Sequence, residues 1–238
     1  MADFLLIHGS CHGAWCWRDV IPALAALGHD ARAIDLPGNG ADTTPHDRVT
    51  LADSAAAVLA ASTPETVVVG HSWGGFPISA AAEADPEGMR ALIYLCAYIP
   101  VQSGLSMVDV RKRAPRHPIL PAVRRSADGL SMTVDPALAT GIFYNDCAPD
   151  VADRAVAQLC AQALPPQTTP LTVTERFASV PKSYIVCRDD HCIPPEYQDE
   201  MTADWPRDRV HEMATGHSPF LSDPQGLAAL LSRIAEAG

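Results

Sequence analysis

A serine between two glycines is the residue of this sequence best suited to covalent chemistry. Ser72 lies in residues 67–75 (VVVGHSWGG), with Gly70 and Gly74 two positions to either side. The β-branched run before it predicts a strand and the small residues at 76–84 predict a helix, so Ser72 is expected on a sharp turn. Such a turn presents the hydroxyl as a nucleophile, and the glycines leave room where chain segments nearly touch.

A nucleophilic serine needs a base, because its hydroxyl is almost wholly protonated at neutral pH. His217 follows the last predicted strand and precedes a helix predicted at residues 224–237, which places it on a loop at the same sheet edge as Ser72. We interpret His8 and His71, which stand at strand ends, as packed and hydrogen-bonded scaffold groups. His217 is therefore the predicted base.

The base must be oriented by a carboxylate, which also stabilises its protonated form. Two adjacent candidates, Asp189 and Asp190, follow the strand predicted at residues 182–187. Adjacent residues that leave a strand point in opposite directions, so only one of them is expected to reach His217. Asp190 begins an Asp-x-x-Ile-Pro pattern similar to the acid loop of many α/β-hydrolases and is the predicted acid, with Asp189 as the alternative.

Negative charge on a substrate oxygen needs hydrogen-bond donors that are already in place. The first predicted strand runs into residues 8–15 (HGSCHGAW), where glycines allow close approach of the backbone to a ligand. We predict the backbone N–H groups of Ser10 and Trp73 as these donors. A nucleotide-binding loop is disfavoured, because there is no Gly-x-Gly-x-x-Gly and neither lysine, Lys112 or Lys182, follows a phosphate-loop glycine.

The elements that must position these groups alternate between strand and helix. Buried strands are predicted at residues 3–8, 30–35, 66–70, 90–98, 182–187 and 209–213. Helices are predicted at residues 15–27, 51–62 and 149–164 besides those already mentioned. The alternation predicts right-handed crossovers and a doubly wound, mainly parallel sheet of about six strands. We expect a core formed by residues 1–100 and 182–238, with residues 101–181 inserted as a lid above the serine.

Composition limits the classes of partner. The net charge of −11 argues against nucleic acid and anionic membranes, so a small molecule is the expected partner. Six basic residues nevertheless fall between Arg111 and Arg125, either as a solvated helix face or as a basic lip that favours anionic substrates. Seven cysteines without a Cys-x-x-Cys pair and no apparent secretory signal predict reduced thiols in the cytoplasm. Cys187, His191 and Cys192 offer only a weak zinc alternative.

Three segments together carry a family resemblance. Residues 6–15, residues 70–75 and residues 187–198 (CRDDHCIPPEYQ) resemble the plant methylesterase and hydroxynitrile lyase group of α/β-hydrolases and its bacterial relatives. Residues 143–147 (FYNDC) and the helix after them are similar to that group's lid. The resemblance implies an α/β-hydrolase fold and a cofactor-free enzyme acting on small esters, with Ser72, His217 and Asp190 as its catalytic triad. Dimers are common among similar proteins, so a homodimer is left open.

Two departures from the lyases of the group favour hydrolysis. Ser218 stands where the lyases have a lysine after the catalytic histidine, and Gly9 stands where they have a hydrogen-bonding side chain. The predicted substrate-binding residues are Gly9, His12, Met107, Phe143, Tyr144 and Leu164, although ordinary packing explains the large ones equally well. A carboxylesterase is the leading hypothesis. A C–C lyase on the same triad and a non-catalytic small-molecule receptor are the alternatives.

Overall fold

The computed structural model describes residues 1–237, within which the chain forms nine strands and eleven α-helices. The strands are β1 (Asp3–Ile7), β2 (Asp30–Ile34), β3 (Thr66–His71), β4 (Ala91–Leu95), β5 (Val123–Arg125), β6 (Ser131–Val134), β7 (Gln162–Ala163), β8 (Lys182–Cys187) and β9 (Val210–Met213). The helices are α1 (Val20–Ala26), α2 (Leu51–Ala61), α3 (Gly75–Ala84), α4 (Met107–Lys112), α5 (Pro136–Phe143), α6 (Pro149–Val156), α7 (Pro165–Thr168), α8 (Glu175–Ser179), α9 (Pro195–Met201), α10 (Pro219–Ser222) and α11 (Pro224–Ala237).

Six of the strands form one sheet in the order β2-β1-β3-β4-β8-β9, and every neighbouring pair is parallel. Helix α1 packs against α11 and helix α2 packs against α3, so both faces of the sheet are covered. The predicted doubly wound parallel sheet of about six strands is therefore confirmed. Every residue of β3 is buried, as its β-branched sequence predicts for a central strand.

The register of the sheet brings the candidate catalytic loops together at the carboxyl-terminal ends of the strands, which we call the sheet edge. Ile7 at the end of β1 pairs with Gly70 of β3, and Cys187 at the end of β8 pairs with Met213 of β9. Parallel strands end at the same side of a sheet, so the loops that follow β1, β3, β8 and β9 emerge together.

The prediction of one continuous helix at residues 15–27 is wrong. The structure has a 3₁₀ turn at Ala14–Trp17 and then α1, which begins at Val20. Pro22 explains the break, because proline has no N–H to donate to the carbonyl four residues earlier. A helix that begins at Val20 places Pro22 in the first turn, where this donor is not needed.

Two other predicted elements are too long. Strand β4 ends at Leu95 rather than at residue 98, because Cys96 has a φ of +34° that extended backbone does not permit. The helix predicted at residues 149–164 ends at Val156, and Gln162 and Ala163 pair instead with β6. Periodicity did not reveal this change, since Gln162 is held by a distant contact: its Oε1 accepts from the backbone N–H of Cys11 at 3.3 Å.

Between β4 and β8 the chain leaves the sheet, and we refer to residues 101–181 as the insertion. It contains α4 to α8 and a small antiparallel sheet in the order β5-β6-β7. Among the helices of residues 1–237, none combines the length and the apolar character needed to cross a bilayer.

Candidate active site

Ser72 lies at the turn between β3 and α3 in a strained backbone conformation. Its φ is +53°, a region that residues with a side chain rarely occupy. The two flanking glycines explain how the chain tolerates the turn. A Cβ added to Gly70 would lie 2.8 Å from the carbonyl oxygen of Gly74, and one added to Gly74 would lie 2.7 Å from that of His8. Larger residues would force the turn away from β1, so this local sequence permits the serine to stand at the edge of the sheet.

The loop after β1 is oriented by two buried histidines. His8 Nδ1 donates to the carbonyl oxygen of Gly9 at 2.8 Å, and its Nε2 accepts from the backbone N–H of Leu36 at 3.0 Å. The Gly9 carbonyl shares a peptide plane with the N–H of Ser10, so His8 fixes the direction of that donor. His12 Nδ1 donates to the carbonyl oxygen of Ser10 at 2.8 Å. The interpretation of His8 as a hydrogen-bonded scaffold group agrees with these contacts.

The predicted oxyanion donors, the N–H groups of Ser10 and Trp73, belong to loops that are packed against each other. A Cβ on Gly9 would lie 2.9 Å from Cβ of Ser72 and 2.7 Å from Nδ1 of His71, so only glycine allows this approach. Among the described residues, neither the Ser10 N–H nor the Trp73 N–H has an internal acceptor. Both donors are thus free to bind a ligand.

Of the two adjacent aspartates, the structure brings Asp190 to His217. His217 Nδ1 donates to Asp190 Oδ2 at 2.8 Å, and both side chains are buried. Asp190 also accepts from the backbone N–H groups of Cys192 and Ile193 and from Gln198 Nε2, at 2.7, 2.9 and 2.9 Å. A buried carboxylate with four donors is held rigidly in one orientation. The side chain of Asp189 is 64% exposed.

The buried histidines differ in their pKa. Burial lowers the pKa of His12 to about 3 and holds that of His8 and His71 below the ordinary value, so all three are neutral. Burial also acts to lower the pKa of His217, but the Asp190 carboxylate, together with the Cys192 side chain, outweighs it and the pKa is raised. His217 is consequently the buried histidine most easily protonated, which suits a base that must carry a proton during reaction.

His217 is also fixed through its backbone. His71 Nε2 donates to the carbonyl oxygen of His217 at 2.9 Å, and the Cys96 thiol donates to the same oxygen at 3.5 Å. The side chains of His71, Cys96 and His217 each have one potential ligand atom, and these atoms lie within 4.8 Å of one another, a spacing that a metal ion could use. Burial raises the pKa of the Cys96 thiol, which disfavours the thiolate that binds metals. We therefore assign His71 and Cys96 to holding the His217 backbone.

A narrow cavity opens beside the serine. The loops at the sheet edge contribute four lining residues: Ser10, Ser72, Tyr98 and Cys192. The insertion contributes six: Met107, Arg111, Ile119, Met132, Phe143 and Gln167.

Two of the predicted substrate-binding residues, Met107 and Phe143, line this cavity. The Phe143 ring stacks on the His217 ring with 5.7 Å between centroids. The other four predicted residues, Gly9, His12, Tyr144 and Leu164, are not among the lining residues. His12 and Tyr144 are instead bonded to each other, because the Tyr144 hydroxyl donates to His12 Nε2 at 2.8 Å.

Sequence reasoning missed Gln167. Its Nε2 donates to Ser10 Oγ at 2.7 Å, and its Oε1 is buried without a partner in the described part of the chain. No motif surrounds this residue, and only the proline pair that begins α7 indicated a local change of structure. A buried amide beside the loop after β1 was therefore not visible from the sequence.

Two further residues of the insertion contact the loops that carry Asp190 and His217. Asp146 Oδ2 accepts from the backbone N–H of Gly216 at 2.6 Å, next to His217. Asn145 Nδ2 donates to the backbone carbonyl and to the carboxylate of Asp189, both at 3.1 Å. The resemblance of residues 143–147 to a lid segment was the only signal for these two residues.

Known proteins are similar to this chain over nearly its whole length. Residues 4–230 match the alpha/beta hydrolase family. The sequence is 31% identical to methylesterase 7 of Arabidopsis thaliana, over 98% of this chain and 96% of that protein. It is 33% identical to methylesterase 1 of the same plant, over 98% of this chain and 95% of the relative.

A solved structure is similar over nearly the whole chain. It is that of a pyrethroid hydrolase from Sphingobium faniae JZ-2, which superimposes with a TM-score of 0.86 at 26% identity. The superposition covers 99% of this chain and 98% of the other. The sheet, the insertion and their connections therefore share one architecture.

Proposed function

The chain belongs to the alpha/beta hydrolase family, and on that premise we propose that it is a serine hydrolase of small carboxylic esters. The observation that carries the proposal is the buried hydrogen bond from His217 Nδ1 to Asp190 Oδ2, at the sheet edge where Ser72 stands on its strained turn. The likeness to two plant methylesterases supports an ester as the substrate.

The bond from His217 to Asp190 places a proton on Nδ1, which leaves Nε2 as the proton acceptor. His217 Nε2 takes the proton of Ser72 while Ser72 Oγ forms a bond to the ester carbonyl carbon. The N–H groups of Ser10 and Trp73 bind the resulting oxyanion. The carbon–oxygen bond to the alcohol then breaks, and the alcohol leaves with the proton from His217. Water repeats the sequence on the acyl-enzyme and releases the acid.

We propose further that the insertion acts as a lid over this chemistry. Six of its residues line the cavity that Ser72 also lines, so substrate must pass between the insertion and the sheet edge. A covered site excludes bulk water, which strengthens the hydrogen bonds to the oxyanion.

The test is hydrolysis of short-chain methyl and aryl esters by the wild type, Ser72→Ala and Ser62→Ala. Ser62, at the end of α2, is the matched control because its hydroxyl only donates to the carbonyl of Leu59. We expect Ser72→Ala to lose about 10⁴-fold or more of kcat, whereas Ser62→Ala retains the wild-type rate. An organophosphonate that reacts with activated serines should label the wild type on Ser72.

Full ester turnover by Ser72→Ala would refute the proposed mechanism. Cleavage of a cyanohydrin to aldehyde and cyanide without ester turnover would identify a lyase. Tight binding of an ester without any product would identify a receptor.

A further inference from the structure

We propose that the preferred substrates are esters that carry a second, ionised carboxylate, and that the Arg111 guanidinium binds this carboxylate. The inference rests on the proposed ester hydrolase and specifies its substrate class. Arg111 is the only charged residue among those that line the cavity beside Ser72.

Helix α4 directs Arg111 into the cavity. Met107 and Arg111 are four residues apart, so they lie on one face of the helix, and both line the cavity. Both ends of the helix are held by hydrogen bonds. At the N-terminus Ser106 and Asp109 form a capping box, and near the C-terminus the Tyr197 hydroxyl donates to the carbonyl oxygen of Val110. The guanidinium is therefore carried by a positioned element and not by a loose loop.

Arg111 has no carboxylate partner among residues 1–237, in contrast to most of its basic neighbours. Lys112 pairs with Asp109, Arg116 pairs with Glu196, and Arg124 pairs with Asp135. Arg113 donates to the amide oxygen of Gln102. Other arginines, such as Arg48, Arg90 and Arg125, also lack an ion pair within residues 1–237, so the inference rests on the position of an unpaired Arg111 in the cavity wall.

The acidic groups near the cavity are already engaged. Asp190 receives four hydrogen bonds, including the one from His217, and Asp109 belongs to the capping box and the ion pair of α4. The positive charge of Arg111 acts on two other residues that line the cavity, Tyr98 and Cys192. Burial raises the pKa of Tyr98 and of Cys192, and Arg111 opposes the rise at both.

The remaining walls explain why the anion should be a carboxylate on a short chain. Met107, Ile119, Met132 and Phe143 are apolar, so an anion there loses water and gains a stronger attraction to the guanidinium. The planar guanidinium matches the two oxygens of a carboxylate. Because Ser72 and Arg111 share one narrow cavity, only a few carbons fit between the ester and the carboxylate.

The experiment compares kcat/KM for monomethyl and dimethyl esters of succinate, glutarate, adipate and pimelate. Each pair has the same chain and differs only in the free carboxylate. We expect the wild type to prefer the monomethyl ester of at least one chain length by about 10-fold or more. Arg111→Gln should lose about 10- to 100-fold on that monoester and less than about threefold on its diester.

Arg125→Gln is the matched control, since it removes the same charge from an exposed residue that does not line the cavity. It should retain the wild-type preference. As a readout of binding, the free dicarboxylate should inhibit the wild type competitively and inhibit Arg111→Gln about 10-fold more weakly. Arg111→Lys, which keeps the charge but loses the planar fork, should fall between the two.

A wild type that hydrolyses all diesters at least as well as the monoesters would overturn the inference, and this comparison needs no variant. Equal losses on both ester classes in Arg111→Gln would overturn it as well. In either case ester turnover that depends on Ser72 leaves the proposed function intact. Absence of turnover with every ester would instead count against the proposed function itself.

Discussion

The loops at the sheet edge and the insertion meet at one cavity, but they are built differently. At the sheet edge Asp190 has four donors and His8 has a partner on each ring nitrogen, although His71 Nδ1 and Ser218 Oγ are buried without a partner in the described chain. In the insertion, Arg111 lacks an acidic partner and Gln167 Oε1 is buried without any partner within the described chain. We infer that the sheet edge fixes the chemistry, whereas the insertion selects what reacts.

This difference has a physical reason. A triad and an oxyanion hole work only when their groups stay in one geometry, and hydrogen bonds in a buried site provide that rigidity. Polar groups that recognise a substrate must remain unpaired until the substrate arrives, which costs stability in the free protein. Mutations in the two regions should therefore differ in kind, with large effects on kcat at the sheet edge and substrate-dependent effects in the insertion.

The largest expected effect in this comparison is that of Asp190→Asn. We expect kcat to fall about 10⁴-fold, because the amide no longer stabilises the protonated His217 or fixes its tautomer. The pH profile should shift as well. Activity needs neutral His217, so kcat/KM falls as the pH drops through its pKa, which Asp190 raises against the effect of burial. Without the carboxylate the largest influence that raises the pKa of His217 is lost, and the acid limb should move to lower pH.

The control is Asp189→Asn, which removes an exposed carboxylate one residue away. It should change kcat less than about threefold and leave the acid limb in place. If Asp189→Asn produced the larger loss, the assignment of the acid would be reversed. The measurement is kcat/KM from pH 5 to 9 for both variants, with circular dichroism to verify folding.

The sequence predicted the two regions unequally. The strands of the sheet, the order of Ser72, Asp190 and His217, and the loop after β1 were predicted, because buried parallel strands and sharp glycine turns leave local patterns. The choice of Asp190 over Asp189 rested on a motif, and the geometry of the site agrees with it. The proposed roles of these residues remain predictions.

The insertion left fewer local signals. Gln167 contacts Ser10 and Gln162 contacts Cys11, in both cases across about two thirds of the chain, so no short window of sequence contains both partners. Residues 149–164 have the composition of one helix, but the helix ends at Val156 and Gln162 pairs with β6. Long-range contacts decided these elements, and periodicity does not encode them.

A smaller effect is expected where the insertion supports the sheet edge through Asp146. In Asp146→Ala the Gly216 N–H loses its charged acceptor, so the loop that carries His217 should become less ordered. We expect kcat to fall about 10-fold with nearly equal factors for all esters, which distinguishes this contact from substrate selection.

Asp150→Ala is the control, because it removes an exposed carboxylate of the insertion that pairs only with Arg154. It should leave kcat unchanged within about twofold. A loss in Asp146→Ala that appears with one ester class alone would show that Asp146 selects substrate, contrary to the expectation that it supports the loop of His217.

Gln167→Met tests a contact between the two regions, because this insertion residue donates to Ser10 in the loop after β1. The substitution keeps the size of the side chain and removes its hydrogen bonds. We expect kcat/KM to fall about three- to 10-fold. Gln158→Met, at an exposed amide of the insertion that donates to the Arg154 carbonyl, should have no effect. Full activity of Gln167→Met with every ester would show that the contact with Ser10 is dispensable.

The smallest effect on activity is expected for a matched pair of buried tyrosines. The Tyr144 hydroxyl joins the insertion to His12 at 2.8 Å, and the Tyr94 hydroxyl joins β4 to Ser79 of α3 at 2.7 Å. Replacing either by phenylalanine removes a buried hydrogen bond, so each variant should lose about 1–2 kcal/mol of unfolding free energy in urea denaturation. Only Tyr144→Phe should also lower kcat/KM, by about threefold, because His12 orients the carbonyl of Ser10. Equal catalytic losses in the two variants would mean that general loosening, and not the contact between insertion and oxyanion loop, controls activity.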